Sequence, residues 1–346
     1  MTNAPTPTGD GVLGLQLVHN MERMTWDRIG SMALENVAQN AAHFSCGKSI
    51  AMLRDQPLGE NDSAVVIAAG PSVKRQDPLA QLIEAGYKGA IIATESAMSY
   101  CLRKGVVPDL VVTADPHAIR IVRWFGDPNL TPEELDEDDY YRRQDMDEAF
   151  ANELKMNQEM LALMDQYGSQ IKISLSTASS ANVVKRALET GMEVYWWNPM
   201  LDDPDQEDSH SRRIMRGNRL PCVNAGGNVG TAAWMMAHAV LGKKHVAVTG
   251  MDFSYYSDTP YKNTQYYYEA VDLVGVDNLN SLYIHVHNPH TGMDFFTDPA
   301  YMWYRQAFLE LAKDADCKTY NCTEGGILFG DGIEFLPLSD FLQRMS

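Results

Sequence analysis

Short continuous apolar runs along the chain alternate with longer stretches in which apolar residues recur every three or four positions. Ala64–Ala69 (AVVIAA) is a run of the first kind, bounded by turn residues, and predicts a buried parallel strand. Ala90–Thr94, Leu110–Ala114, Ile171–Leu175, Glu193–Trp197 and His245–Thr249 repeat the pattern, Cys317–Tyr320 adds a seventh candidate, and Leu220–Asn224 is strand-like. Between them lie helical segments. Pro78–Ala85 is stopped by Gly86, a segment N-capped by Ser96 ends at Gly105, and Ala181–Thr190 is closed by Gly191. Val229, Ala233, Met236, Ala237 and Val240 mark a fourth helix. Residues 15–55 read as helical, with Leu17, Met21, Met24, Ile29, Met32 and Val37 as a loose apolar stripe, and Pro57–Asp62 ends them in a turn. Strands separated by helices imply βαβ units. The expected fold class is α/β: a Rossmann-like, mostly parallel, doubly wound sheet with an N-terminal helical segment and inserted helical and lid regions.

The same pattern divides the chain into a tail and helical segment at 1–60, a central domain at 61–330 and a C-terminal tail at 331–346. Residues 1–10 (MTNAPTPTGD) read as a mobile tail. Two segments break the rhythm of the central domain. One, at about 125–170, is long and acidic, with EELDEDD at Glu133–Asp139, and reads as a helical insertion with a solvated face. The other, at about 255–298, is rich in Tyr, Asn and His and too long for an ordinary αβ connection, so it reads as a lid or acceptor-binding region.

Charge narrows the partners. Lys plus Arg is 28 and Asp plus Glu is 46, so the net charge is 28 − 46 = −18. Such a chain repels nucleic acid and anionic lipid, and no Lys/Arg run of the kind that would offset this stands out. An anionic ligand would then be held by backbone N–H groups and hydroxyls. The cysteines number five, no CxxC occurs, and the first residues lack the pattern of a secretory leader. The apolar runs fall short of the ~20 residues that span a bilayer. The expectation is a cytoplasmic protein without a transmembrane segment, reduced, with no nucleic-acid partner, assembling as a homo-oligomer.

Candidate chemistry gathers where open parallel sheets bind ligands, after the carboxyl ends of the strands. Gly70-Pro71-Ser72 follows the first strand, and it is neither GxGxxG nor a P-loop. Thr94-Glu95-Ser96 follows the second and Asp115-Pro116-His117 the third. Gly226-Gly227-Asn228 opens directly into a helix, where backbone N–H groups and the macrodipole make an anion site that needs no basic residue. Asp252 stands at the tip of the sixth strand. Three histidines, His285, His287 and His290, fall within six residues, the first two on one face if the segment is a strand. They offer a general base or, less simply, a metal ligand. The tyrosines around Tyr255 and Tyr261 offer neutral phenol donors for a leaving phosphate.

In order and spacing these motifs resemble a known family. VVIAAGPSV at Val65–Val73, IIATESAMSYCLRKGVVPDLVVTADPH at Ile91–His117, NAGGNVGTAAWMMAHAVLGKKHVAVTGMDFSY at Asn224–Tyr255 and YNCTEGG at Tyr320–Gly326 carry the likeness. The chain resembles the domain shared by motility accessory factor glycosyltransferases and 6-hydroxymethylpterin diphosphokinase-like proteins, and more distantly the bacterial sialyltransferases that use CMP-sialic acid. The likeness spans about residues 60–330 and implies a nucleotide- or nucleotide-sugar-binding catalytic domain. It implies donor contacts at Gly70, Ser72, Thr94, Glu95, Asp115, Gly226, Gly227, Asn228 and Asp252. It implies phenols on the leaving phosphate; Ser254 stands where the family has its first tyrosine, which shifts the roles to Tyr255 and Tyr261. The family's base falls by register near Met293 or Asp294, leaving His290, His287 or Asp294 for that role.

Three functions follow from the resemblance. The first is transfer of a sialic-acid-like, nonulosonic sugar from a CMP-activated donor to a glycan or protein acceptor, with no cofactor or metal required. The second is a Mg-dependent, ATP-using 6-hydroxymethylpterin diphosphokinase with the ion on Asp115 and Asp252. The third is a nucleotide-sugar-binding protein without catalysis. The length of the 255–298 region and the lack of a basic phosphate clamp favour the first.

Overall fold

Alternate side chains of each central strand feed two apolar layers, and this decides the architecture. Ala64 and Val66 pack into one buried cluster with Ala232, Ala233, Trp234 and Met236, while their neighbours Val65 and Ile67 pack into another with Leu79, Leu82 and Phe341. Val111, Ile173, Leu175 and Val194 feed a third with Met160, Met164, Val183 and Ala187. A strand apolar on both sides must be covered on both sides. The protein, described here from a computed structural model covering residues 11–118, 124–133 and 157–346, is accordingly a sheet with helices on each face.

The strands are β1 (Lys48–Ser49), β2 (Ser63–Ile67), β3 (Ala90–Thr94), β4 (Leu110–Thr113), β5 (Lys172–Ser176), β6 (Glu193–Pro199), β7 (Cys222–Val223), β8 (His245–Thr249), β9 (Tyr255–Tyr256), β10 (Ile284–Asn288), β11 (Met293–Thr297), β12 (Lys318–Asn321) and β13 (Ile333–Phe335). Ten of them form one sheet in the order β1-β6-β5-β4-β3-β2-β8-β12-β13, with β7 beside the end of β6. Every pairing in that sheet is parallel. The α/β class and the seven expected strands stand. The 255–298 region carries its own antiparallel sheet, β10-β11-β9.

Three expectations are corrected. The flanking segments belong to the central domain: β1 pairs with β6, β13 pairs with β12, and Leu338, Phe341 and Leu342 of helix Leu338–Met345 are buried against Leu79 and Leu82. Ser96 is not an N-cap; helix Glu95–Arg103 begins before it, and its hydroxyl meets that of Thr94 at 3.0 Å. The inward face of helix Met21–Asn40 is not the apolar stripe but Gly30, Ala33, Asn36 and Asn40. Met24 is 39% exposed. The expected mobile tail at 1–10, and all of the acidic run Glu133–Asp139 beyond Glu133, lie outside the described residues.

Helix Met21–Asn40 runs over the carboxyl ends of β4 and β5. Asn36 Nδ2 donates to the carbonyls of Pro116 (2.9 Å) and Ala178 (3.0 Å). Asn40 Nδ2 donates to those of Thr177 (3.0 Å) and Ser179 (2.7 Å). Two buried amides thus satisfy four loop carbonyls that no strand reaches. Asn40→Ala should cost about 1–3 kcal/mol, the penalty for leaving buried carbonyls unpaired. Urea unfolding is expected to show a lower midpoint at unchanged slope, and an unchanged midpoint would show that the roof is held by other contacts.

Candidate active site

Strands are added outward from β2 to β6, and the chain then returns to lay β8 on the other side of β2. This reversal puts the carboxyl ends of β2 and β8 where open parallel sheets bind ligands. Gly70, Ser72 and Asp252 sit there. Ser72 Oγ donates to Asp252 Oδ2 at 2.8 Å and Ser72 N donates to Oδ1 at 3.3 Å. A Cβ on Gly70 would lie 2.1 Å from Asp252 Oδ2 and 2.4 Å from the Gly250 carbonyl, so the glycine is needed to admit the carboxylate. On the far side a Cβ on Gly326 would meet the Asp252 backbone at 2.4 Å. Ile327 N donates to Asp252 O, and Asn288 Nδ2 donates to Gly326 O at 2.7 Å. The GPS loop, the tip of β8, the NCTEGG segment and the end of β10 therefore converge on one buried carboxyl. Burial raises its pKa to about 7, against the opposing hydrogen bonds from Ser72.

The other expected donor contacts line the adjoining strand ends. Thr94 and Glu95 are buried at the end of β3. Asp115, half-buried after β4, accepts the N–H of His117 at 2.8 Å. Gly226 and Gly227 take φ of +54° and +78°, and Asn228 caps the helix that follows by accepting Thr231 N at 2.9 Å and donating to Thr231 Oγ1 at 2.8 Å. The Asn228 side chain is thus committed to the turn. The Cα–H of Gly227 that a Cβ would replace points at Trp303, 2.5 Å from where the Cβ would stand, with Tyr304 at 3.0 Å. Helix Pro299–Lys313, which carries both rings, packs on the glycine turn.

Asp115 and Asp252 do not make a common cation site. β4 and β8 are separated by β3 and β2, so their tips stand about 14 Å apart at ~4.8 Å per strand. Among the described residues no group of three or more His, Cys, Asp or Glu is set to hold a metal ion.

The expected catalytic residues are dispersed. Tyr255 is buried, with its ring stacked on Phe296 and Tyr301 and its hydroxyl accepting Gln265 N at 2.8 Å. Tyr261 stacks on Tyr283 at 4.2 Å and donates to Asn280 Oδ1. Both phenols build the lid. His285 and His287 do share a face of β10, as expected of a strand. His287 Nδ1 pairs with Asp294 Oδ1 at 2.8 Å across the hairpin, both exposed, on the face opposite Asn288. His290 stacks on Phe335 of the edge strand β13 at 4.7 Å. Its N–H donates to Asn288 Oδ1 at 2.8 Å, and the Asn288 amide reaches the Gly326 carbonyl beside Asp252.

A different carboxyl stands outside the expected set. Asp298 is buried at the N-cap of helix Pro299–Lys313, where Oδ1 accepts Tyr301 N at 2.9 Å. Its Oδ2 is buried without a hydrogen-bond partner. Burial lifts this carboxyl to about 7, and Tyr255, Tyr266, Tyr301 and Tyr304 feel its charge. Tyr304 also feels Asp115, which places the tyrosine cluster between the lid and the β4 loop. The signal was in the sequence: Asp-Pro opening a helical run is an N-cap followed by proline at the first helical position.

Residues 33–127 match the family model of 6-hydroxymethylpterin diphosphokinase MptE-like proteins. The MptE-like segment carries β1 to β4 together with Gly70, Ser72, Thr94, Glu95 and Asp115. The solved MAf glycosyltransferase of Magnetospirillum magneticum AMB-1 shares the fold, with a TM-score of 0.50 and 12% identity over 86% of this chain. The aligned part is 40% of that longer chain. Family model and solved structure are those of the resemblance drawn from the motifs. No curated protein sequence matches the chain. No described helix is long and apolar enough to cross a membrane.

The two raised carboxyls set a pH dependence. Asp252 and Asp298 rise from 3.8 to about 7 on folding, so the folded chain holds protons that the unfolded chain has already released in that interval. Their contribution to stability is full below about pH 4 and is lost as pH climbs to about 7. Thermal unfolding should show a midpoint that falls between about pH 4 and pH 7. Asp252→Asn should flatten part of that fall, and an identical slope in the variant would show that Asp252 is ionised in the fold throughout.

Proposed function

We propose that the chain is a glycosyltransferase that moves a nonulosonic sugar from a CMP-activated donor to a glycan or protein acceptor. The observation that carries this reading is the set of polar groups gathered at the β2/β8 reversal and the adjoining strand ends, hydroxyls, glycines and a helix start, with Arg75 near enough for its charge to act on Asp252. The fold shared with a glycosyltransferase supports it. The nucleotide lies across the GPS loop and the ends of β3 and β4, and the glycine turn presents the N–H of Gly227 to its phosphate, those of Gly226 and Asn228 being bonded to Asn224 Oδ1 and the Ala225 carbonyl. Trp303 and Tyr304 close over that turn. Departure of CMP leaves positive character at the anomeric carbon, and the acceptor hydroxyl must lose its proton as it attacks.

Asp298 is the group we assign to that proton. Its raised pKa suits a base at neutral pH, its second oxygen is uncommitted, and the neighbouring Thr297 donates to the Phe253 carbonyl, next to Asp252. Asp298→Asn keeps the helix cap, since asparagine caps as well as aspartate. It should lower kcat by about 10²–10⁴-fold with donor affinity unchanged. His287→Ala and His290→Ala should retain near-wild-type kcat. The opposite pattern would return the role to the His287–Asp294 pair.

The family model's description favours a second reading, an ATP-dependent diphosphokinase acting on a hydroxymethylpterin. Calorimetric titration with CMP and with ATP, each with Mg²⁺ or EDTA, separates the two. CMP binding that survives EDTA is the expected result. Binding of ATP alone, and only with Mg²⁺, would overturn the transferase.

A further inference from the structure

The acidic chain carries one concentrated basic element, and it packs on β6 and meets the helix that roofs the ends of β4 and β5. Arg212, Arg213, Arg216 and Arg219 fall within eight residues, and no Asp or Glu occurs from Ser209 to Met251, in a chain of net charge −18. This corrects the expectation that no basic run is present. The arginines ride on helix His210–Asn218 and the residue after it.

The helix is fixed at both ends. At its start Asp202 accepts Ser209 Oγ (2.7 Å), His210 N (2.6 Å) and Ser211 N (3.0 Å). Burial would raise this carboxyl, but those bonds outweigh it and hold the pKa at about 2. At the other end the side-chain amides of Asn218 and Asn198 exchange two hydrogen bonds of 2.8 and 2.9 Å, tying the helix to β6. His210 packs against Trp26 at 5.1 Å between ring centres, which joins the helix to the roof over the ends of β4 and β5.

The arginines themselves stay available. Arg212 and Arg213 donate to the backbone carbonyls of Glu207 and Asp208 rather than to carboxylates. Arg216 and Arg219 are exposed, and their side chains make no ion pair or hydrogen bond among the described residues. Unpaired guanidinium groups on a rigid helix match carboxylates through their planar fork. The acidic run Asp202–Asp208 lies at the helix start, and from Ser209 the acid-free stretch continues through the arginines to the glycine turn, so the positive charge lies on the side of the helix toward that turn in sequence.

We infer that helix His210–Asn218 with Arg219 is the docking surface for an anionic, carboxylate-bearing saccharide acceptor. The choice of a saccharide rests on the transferase reading; the preference for a carboxylate rests on the charge and rigidity of the helix alone. The acidic remainder of the surface repels such a chain, so capture concentrates on this element and directs the acceptor's end toward the strand tips.

The test uses the full chain and its Arg213→Ala/Arg216→Ala/Arg219→Ala variant, all three positions being exposed. The probes are a short α2,8-linked oligosialic acid, a neutral dextran oligomer of similar length, and CMP. The wild-type chain should bind the oligosialic acid, more weakly as salt rises from 50 to 300 mM, and should not bind the dextran. The triple variant should lose about tenfold or more in that affinity, with circular dichroism and CMP binding unchanged. Equal affinity in the variant, or salt-independent binding, would overturn the inference while leaving CMP binding to judge the transferase. A variant that loses self-association in sedimentation, in a chain that binds no oligosialic acid, would overturn it in favour of a second copy as the occupant.

Discussion

The carboxyl of Asp252 is the point on which the carboxyl edge of the sheet depends. A buried acid is costly unless its oxygens are hydrogen-bonded. Here Ser72 supplies both of its donors, N–H and hydroxyl. That requirement fixes the GPS loop against the tip of β8, forces glycine at position 70, and leaves room on the other side only for Gly326. The brace extends outward from there. Arg305, buried in helix Pro299–Lys313, donates to the carbonyls of Ile327 and Phe329, and Asn321 donates to Leu328. Segments far apart in sequence are held at one place because each closes a polar group that the next would otherwise leave bare.

The parallel sheet was legible because its strands are apolar on both faces, and that pattern has no other common explanation. The site was legible only in part. Glycines and acids after strands stand out in a sequence, but their partners do not. Nothing local shows that Gly70 exists to admit Asp252, or that Asn228 spends its side chain on a cap. The histidines are a different case. Their clustering in sequence reflects the alternation of a hairpin that turns them to solvent and to a sheet edge. Asn36 and Asn40 were hidden within an apparently apolar helix, since a helix that covers loop carbonyls needs amides where a packing helix needs leucines. Helix His210–Asn218 escaped notice because its arginines are diluted by the acidic run immediately before it.

The layout also separates two kinds of polar group. Asp252, Asn36 and Asn40 are buried and hold the backbone, so they act on geometry. Asp115, the glycine turn and the arginine helix remain open to solvent in part, so they can act on a ligand. Trp303 belongs to both groups, packing on Gly227 while staying half-exposed. The site is thus shaped by residues that a ligand need not touch.

The distance in sequence between Ser72 and Asp252 has a consequence for synthesis. The two residues are 180 positions apart, and β8 is the neighbour that covers one edge of β2. A ribosome emits the strands from β2 to β6 long before β8, so a growing chain exposes an open, flat, apolar edge for many seconds at ordinary elongation rates. Nascent chains of this topology are therefore candidates for holding by a chaperone until His245–Thr249 emerges. Docking of β8 covers the edge of β2 and brings Asp252 to Ser72 in one event, and β12 and β13 then extend the sheet beyond it.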